Sequence, residues 1–69
     1  MLRKRSLNLA GHTTSLALEP AFWAVLEEMA AERGASLTSI VAEIDAGRGP
    51  EPLASASRVA ALAWVGLRA

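Results

Sequence analysis

The chain has 69 residues, 52% of them hydrophobic and 20% charged, with no cysteine and a formal net charge of zero. That size allows one domain and a lone core worth only about 3–5 kcal/mol, because small bodies bury a smaller share of their surface. The absence of cysteine excludes disulfides and thiolate metal sites, and a single histidine, His12, argues against a histidine-built zinc site. Association with a second subunit is the remaining route to stability.

Half the residues are apolar, so the chain as a whole is too hydrophobic to be disordered. No run approaches the ~18 uncharged apolar residues of a membrane-spanning helix. The start Met1-Leu2-Arg3-Lys4-Arg5 looks like a signal-peptide n-region, but Ser6 to His12 contains no apolar h-region. The expected location is cytoplasmic, with no membrane contact. Charge is segregated along the chain. Residues 1–18 carry Arg3, Lys4 and Arg5 and no acid, whereas residues 19–45 carry six acids against Arg33 alone. The basic start reads either as an arm that meets an anion or as a solvated terminus.

Leu7 and Leu9 alternate with Ser6 and Asn8, which is the period of a half-buried strand. After the turn-competent Ala10-Gly11-His12, the alternation resumes. Thr14, Leu16 and Leu18 share one face, and Thr13, Ser15 and Ala17 share the other. Strands are expected over about 4–9 and 13–18, joined as a hairpin that must pack on something to persist.

Pro20 suits the first position of a helix, where its missing N–H has no helical partner. Phe22, Val25, Leu26 and Met29 then form an apolar stripe, with Trp23 beside it and Glu27, Glu28 and Glu32 off it. Gly34 is placed to stop this helix, of about 20–33, in a left-handed C′ conformation. Ser36 offers an N-cap hydroxyl to a second helix of about 36–46, whose stripe is Leu37, Ile40, Val41 and Ile44. The short link forces a tight corner between the two helices. Gly47-Arg48-Gly49-Pro50 breaks the chain, and an alanine-rich third helix is expected over about 53–67. Val59, Leu62, Ala63 and Gly66 lie on one of its faces, with Trp64 and Leu67 nearer another. Which face packs is not readable from this pattern.

No catalytic constellation emerges. The glutamates sit on the solvent face of the first helix, outside the sheltered pocket that general acid–base work needs. The serines have no second histidine or cysteine to build a triad around, and Gly47-Arg48-Gly49 lacks the length and lysine of a phosphate loop. Neither enzyme activity, a cofactor nor a metal is expected.

The segment from Thr13 to Ile40 resembles the ribbon-helix-helix superfamily of Arc- and MetJ-like DNA-binding proteins. The resemblance lies in the alternating strand, the helix after Glu19-Pro20, the Glu32-Arg33-Gly34-Ala35-Ser36 turn and a second amphipathic helix. Lys4-Arg5-Ser6-Leu7, Ala10-Gly11-His12-Thr13-Thr14-Ser15 and Leu18-Glu19-Pro20-Ala21-Phe22-Trp23 are similar to a bacterial subgroup with an extra N-terminal strand and C-terminal helix. That likeness implies a mainly α protein with a short β-ribbon, an intertwined homodimer and one domain over 1–69.

The resemblance also implies a sequence-specific DNA-binding protein, a transcriptional repressor whose two-stranded ribbon enters the major groove. The base-facing positions would be Thr13, Ser15 and Ala17, which are smaller than the residues such strands often carry. Phosphate contacts would come from Ser36, Leu37 and Thr38 at the second-helix N-terminus, with Arg3, Lys4 and Arg5. Ser36 also has a purely capping reading, and Thr13 and Ser15 a reading as plain solvent-facing polarity. Core and dimer positions would be Leu16, Leu18, Phe22, Trp23, Leu26, Ile40 and Ile44, since a lone strand leaves an open edge over Leu16 and Leu18. The alternative is a protein-interaction module or antitoxin that holds a protein partner through residues 53–69.

Overall fold

A computed structural model of the chain describes residues 1–68. Strand β1 (Arg3–Leu9) and strand β2 (His12–Leu18) form an antiparallel hairpin, followed by helices α1 (Pro20–Arg33), α2 (Leu37–Gly47) and α3 (Leu53–Arg68). Each element appears where the pattern placed it, with ends shifted by one residue at most.

The hairpin turns on Ala10 and Gly11, both at positive φ, 52° and 86°. Two such residues make a type I′ turn, whose twist matches that of the flanking strands. The Asn8 side chain accepts the Gly11 N–H through Oδ1 at 3.0 Å and braces the corner. The register pairs Leu9 with His12 across the turn and continues to Arg3 with Leu18. Paired residues share a face, so one face carries Leu7, Leu9, Leu16 and Leu18, all buried. The other carries Lys4, Ser6 and Asn8 opposite Ala17, Ser15 and Thr13.

The apolar face lies on the helices, with α2 packed against β1 and α3 against β2. Leu16 and Leu18 are therefore buried by their own chain, at 2% and 0% exposure. The intrachain partner β1 covers one edge of β2; the other edge has no strand beside it among the described residues.

Helix α1 starts at Pro20 and ends at Gly34, whose φ of 63° is left-handed. The Gly34 and Ala35 N–H groups close back on Ala31 and Ala30 carbonyls at 3.2 and 2.9 Å, the Schellman arrangement. Its buried face is Trp23, Leu26, Met29 and Ala30, with Phe22 and Val25 only half-buried. The expected stripe is thus rotated toward Trp23. The cause is polar as well as apolar: the indole Nε1–H donates to the Arg3 carbonyl at 2.8 Å, and the Arg5 guanidinium lies 4.6 Å above the ring. With its one polar atom satisfied, the indole can be enclosed.

Ser36 caps α2, accepting the Ser39 N–H at 3.0 Å. Ile40 and Val41 are its most buried residues, with Leu37 and Ile44 half-buried beside them. Helix α3 packs through small residues, Ser57 and Ala61, flanked by Leu53, Ala54 and Trp64. Small side chains let it sit close to the other helices. The stripe of Val59 and Leu62 faces outward instead, at 63% and 70% exposure.

Ser57 is fully buried and its Oγ has no hydrogen-bond partner. A buried unpaired hydroxyl costs about 1–3 kcal/mol, and alanine is the better helix former. Ser57→Ala is therefore expected to stabilise the fold by about 1 kcal/mol, raising Tm by about 4–8 °C in a domain of this size. Thermal denaturation followed by circular dichroism measures it, and an unchanged or lower Tm would refute the orphaned hydroxyl.

Arg58 of α3 reaches the start of α1, donating to Glu19 Oε1 at 2.8 Å with its guanidinium 5.8 Å from the Phe22 ring centre. The hydrogen bond from Arg58 is the main reason the Glu19 carboxyl lies below its usual range. A depressed carboxyl stabilises the fold above its unfolded pKa, and that contribution disappears as pH falls through the folded value. Glu19→Gln should consequently be less stable than the parent at pH 7 and equal to it in strong acid. Urea midpoints at the two pH values measure the difference, and a gap independent of pH would exclude the ion pair as its source.

Candidate functional site

The outer face of the hairpin is the candidate site. The type I′ turn brackets Leu9 and His12 as a hydrogen-bonded pair, and such pairs alternate with non-hydrogen-bonded ones. Thr13, Ser15 and Ala17 fall in the second class with Asn8, Ser6 and Lys4. Their backbone N–H and C=O groups therefore point away from β1, toward the open edge of β2. Thr13 and Ser15 are exposed and Ala17 is half-buried.

The face bears ammonium, amide and hydroxyl groups and no carboxylate. All seven acids lie outside the hairpin, at Glu19, on the helices or in the loop before α3. Among the described residues, Arg5, Arg33, Arg48, Arg58 and Arg68 each form an ion pair with a carboxylate. The two lysine and arginine side chains outside those pairs, Arg3 and Lys4, both lie on β1. A net charge of zero thus conceals unpaired positive charge on the ribbon.

The structure does not bring the basic triplet together. Strand alternation puts Lys4 on the outer face, while Arg3 and Arg5 share the face of Leu18 and Leu16. Arg5 is further occupied by Glu27, at 3.3 Å, and by the Trp23 ring. At the N-terminus of α2, Ser36 uses its oxygen as a cap, and the Leu37 and Thr38 N–H groups stand in the first turn, without an acceptor inside the helix. Leu16, Leu18, Trp23, Leu26 and Ile40 are core, with Phe22 and Ile44 partly buried at its margin. Trp23 is enclosed by its own chain, at 2% exposure, rather than standing beside the apolar stripe.

Two outer-face residues, Ser6 and Asn8, went unremarked in the site expected from sequence. The signal was present: once Leu7 and Leu9 point inward, Lys4, Ser6 and Asn8 must point outward with Thr13, Ser15 and Ala17.

A second surface feature lies on α3. Val59, Leu62, Val65 and Leu67 are exposed apolar residues. Beside Val59 opens a groove of about 580 Å³ between α2 and α3, lined in part by Ile44, Ala56 and Ala60. No helix among the described residues is long and apolar enough to cross a membrane, and no group of histidine and acidic side chains there could hold a metal.

Comparison with known proteins agrees with this architecture. No curated protein and no solved structure gives a match. The ribbon-helix-helix domain family matches residues 2–65, nearly the whole chain. Domains of that family generally dimerise and bind DNA, act in transcription regulation or as antitoxins, and are generally not enzymes. With a two-stranded antiparallel ribbon leading into the helices, the chain belongs to the ribbon-helix-helix family.

Proposed function

We propose that the protein is a homodimeric, sequence-specific DNA-binding protein that acts as a transcriptional repressor. Two copies pair through the open edge of β2, and the outer face of the paired strands enters the major groove. The observation that carries this is the ribbon's outer face, polar, free of carboxylates and bearing the unpaired ammonium of Lys4. A carboxylate-free face meets the DNA polyanion without repulsion, and the groove is wide enough for two strands.

Thr13 and Ser15 then face base edges, and Ala17 offers apolar contact to a thymine methyl. Leu37 and Thr38 amides, with the Ser36 hydroxyl, hold phosphate at the positive end of α2. Selection from a random duplex library, followed by titration of the chosen site, tests the proposal. The selected duplex should bind at least about a thousandfold more tightly than a scrambled one at physiological salt. Equal binding to both would remove sequence-specific recognition.

A second reading follows from α3. Its exposed apolar residues favour a protein-interaction or antitoxin role in which residues 53–69 hold a protein partner. Leu62→Glu separates the two. Leu62 is 70% exposed, so Tm should change little, as surface substitutions usually cost within about 0.5 kcal/mol. Loss of co-purification with a small protein encoded alongside, with DNA binding kept, supports the second role. Loss of the homodimer instead assigns the face to self-association.

A further inference from the structure

We infer that β1 is a phosphate clamp, in which Lys4, Ser6 and Asn8 hold the two phosphodiester backbones that wall the groove. The inference rests on the dimeric ribbon proposed above and adds to it a contact surface that β2 and α2 do not supply.

The argument is one of width. Lys4, Ser6 and Asn8 stand on the same face as Ala17, Ser15 and Thr13, one strand further out. Pairing two copies through the open edge of β2 makes a four-stranded sheet with a β1 strand at each margin. Neighbouring strands lie about 4.8 Å apart, which sets the two β1 axes about 14 Å from each other. The major groove is about 12 Å wide and accepts only two strands. The inner β2 pair therefore occupies the groove, and each β1 comes to rest over a groove wall, where the phosphates are.

The chemistry of β1 suits that position. Its three outward side chains are an ammonium, a hydroxyl and an amide, all donors to a phosphate oxygen. Lys4 has no carboxylate partner among the described residues, in contrast to Arg5 on the opposite face, which is held by Glu27. The Asn8 carbonyl oxygen already accepts the Gly11 N–H at 3.0 Å. That bond fixes the side chain and leaves its Nδ2 hydrogens as the outward donors. Bidentate reading of adenine, by contrast, needs both amide atoms. A lone donor fits phosphate better.

The test uses the full chain, the selected duplex and a random duplex, each titrated across a salt series. Lys4→Ala removes two cations per dimer. It should reduce the salt slope by about two, at about 0.9 per phosphate, and weaken both duplexes by the same factor. Asn8→Asp keeps an oxygen for the Gly11 N–H, so the hairpin should hold, as an unchanged Tm would show. It replaces the donor with a carboxylate and should weaken both duplexes at least tenfold, with the selected sequence unchanged. A new base preference in Asn8→Asp would overturn the clamp, because Asn8 would then read bases. Unchanged affinity and slope in both variants would overturn it as well, because β1 would not touch DNA. If the unmodified protein binds no duplex, the DNA-binding proposal fails before the clamp is reached, a result distinct from failure of the variants alone.

Discussion

Ser15→Pro is expected to leave a folded monomer whose affinity for the selected duplex has fallen by about a thousandfold, to the level of non-specific binding. The Ser15 N–H points to the open edge of β2, in a non-hydrogen-bonded pair with Ser6. Proline removes that donor and fills the edge with its ring. It is tolerated on an edge strand whose N–H side faces solvent, and the preceding Thr14 is already extended, as proline requires. The hairpin to β1 loses no hydrogen bond. Ser15→Ala keeps the N–H and should remain dimeric, separating the edge from the hydroxyl. Sedimentation across a concentration series reads the oligomer directly. For the parent chain, Tm should rise with protein concentration, as mass action demands of a dimer. A dimeric Ser15→Pro would move the interface elsewhere, with the exposed face of α3 the next surface to test. Leu16→Lys or Leu18→Lys cannot make this distinction. Both side chains are buried by their own chain, so either lysine unfolds monomer and dimer alike.

Trp23→Ala should leave the protein largely unfolded at 25 °C. Truncating a buried aromatic costs about 3–5 kcal/mol, as much as a core of this size supplies. The loss is threefold: the enclosed ring, the hydrogen bond to the Arg3 carbonyl at 2.8 Å, and the stacking of Arg5 at 4.6 Å. These contacts fasten β1 to α1, so the strand that completes the hairpin loses its anchor with them. Trp23→Phe keeps a ring for Arg5 and loses the Nε1–H donor, at an expected cost of about 1–2 kcal/mol. Urea denaturation followed by circular dichroism ranks the three proteins. A Trp23→Ala protein as stable as the parent would contradict the burial of the indole.

The local elements of this fold were legible in the sequence because each is set by chemistry within a few residues. Alternation over Ser6–Leu9 and Thr13–Leu18 gives two strands, since side chains on a strand point to opposite faces in turn. Pro20 starts α1, Gly34 ends it at positive φ, and Ser36 caps α2, all through backbone groups of the same segment. The choice of Thr13, Ser15 and Ala17 as the outward face followed from the same alternation.

Three features needed the tertiary structure. The first is which side of α1 is buried: a stripe through Phe22 and one through Trp23 are close neighbours on the helix. The Arg3 carbonyl, 20 residues away in sequence, settles it by satisfying the indole. The second is the packing face of α3, where the large residues Val59 and Leu62 face out and Ser57 and Ala61 face in. The large apolar residues of α3 do not mark its buried side, because only small side chains allow close approach to α1 and α2, and that approach decides the face instead. The third is the fate of the basic triplet. Charge along the sequence adds Arg3, Lys4 and Arg5 together, but a strand sends neighbours to opposite faces, and Glu27 on α1 then takes Arg5. Sequence determined the elements and their outward residues, because those depend on local geometry. Only the folded chain decided which charges stay unpaired and which apolar face stays open, because both depend on partners far away along the backbone.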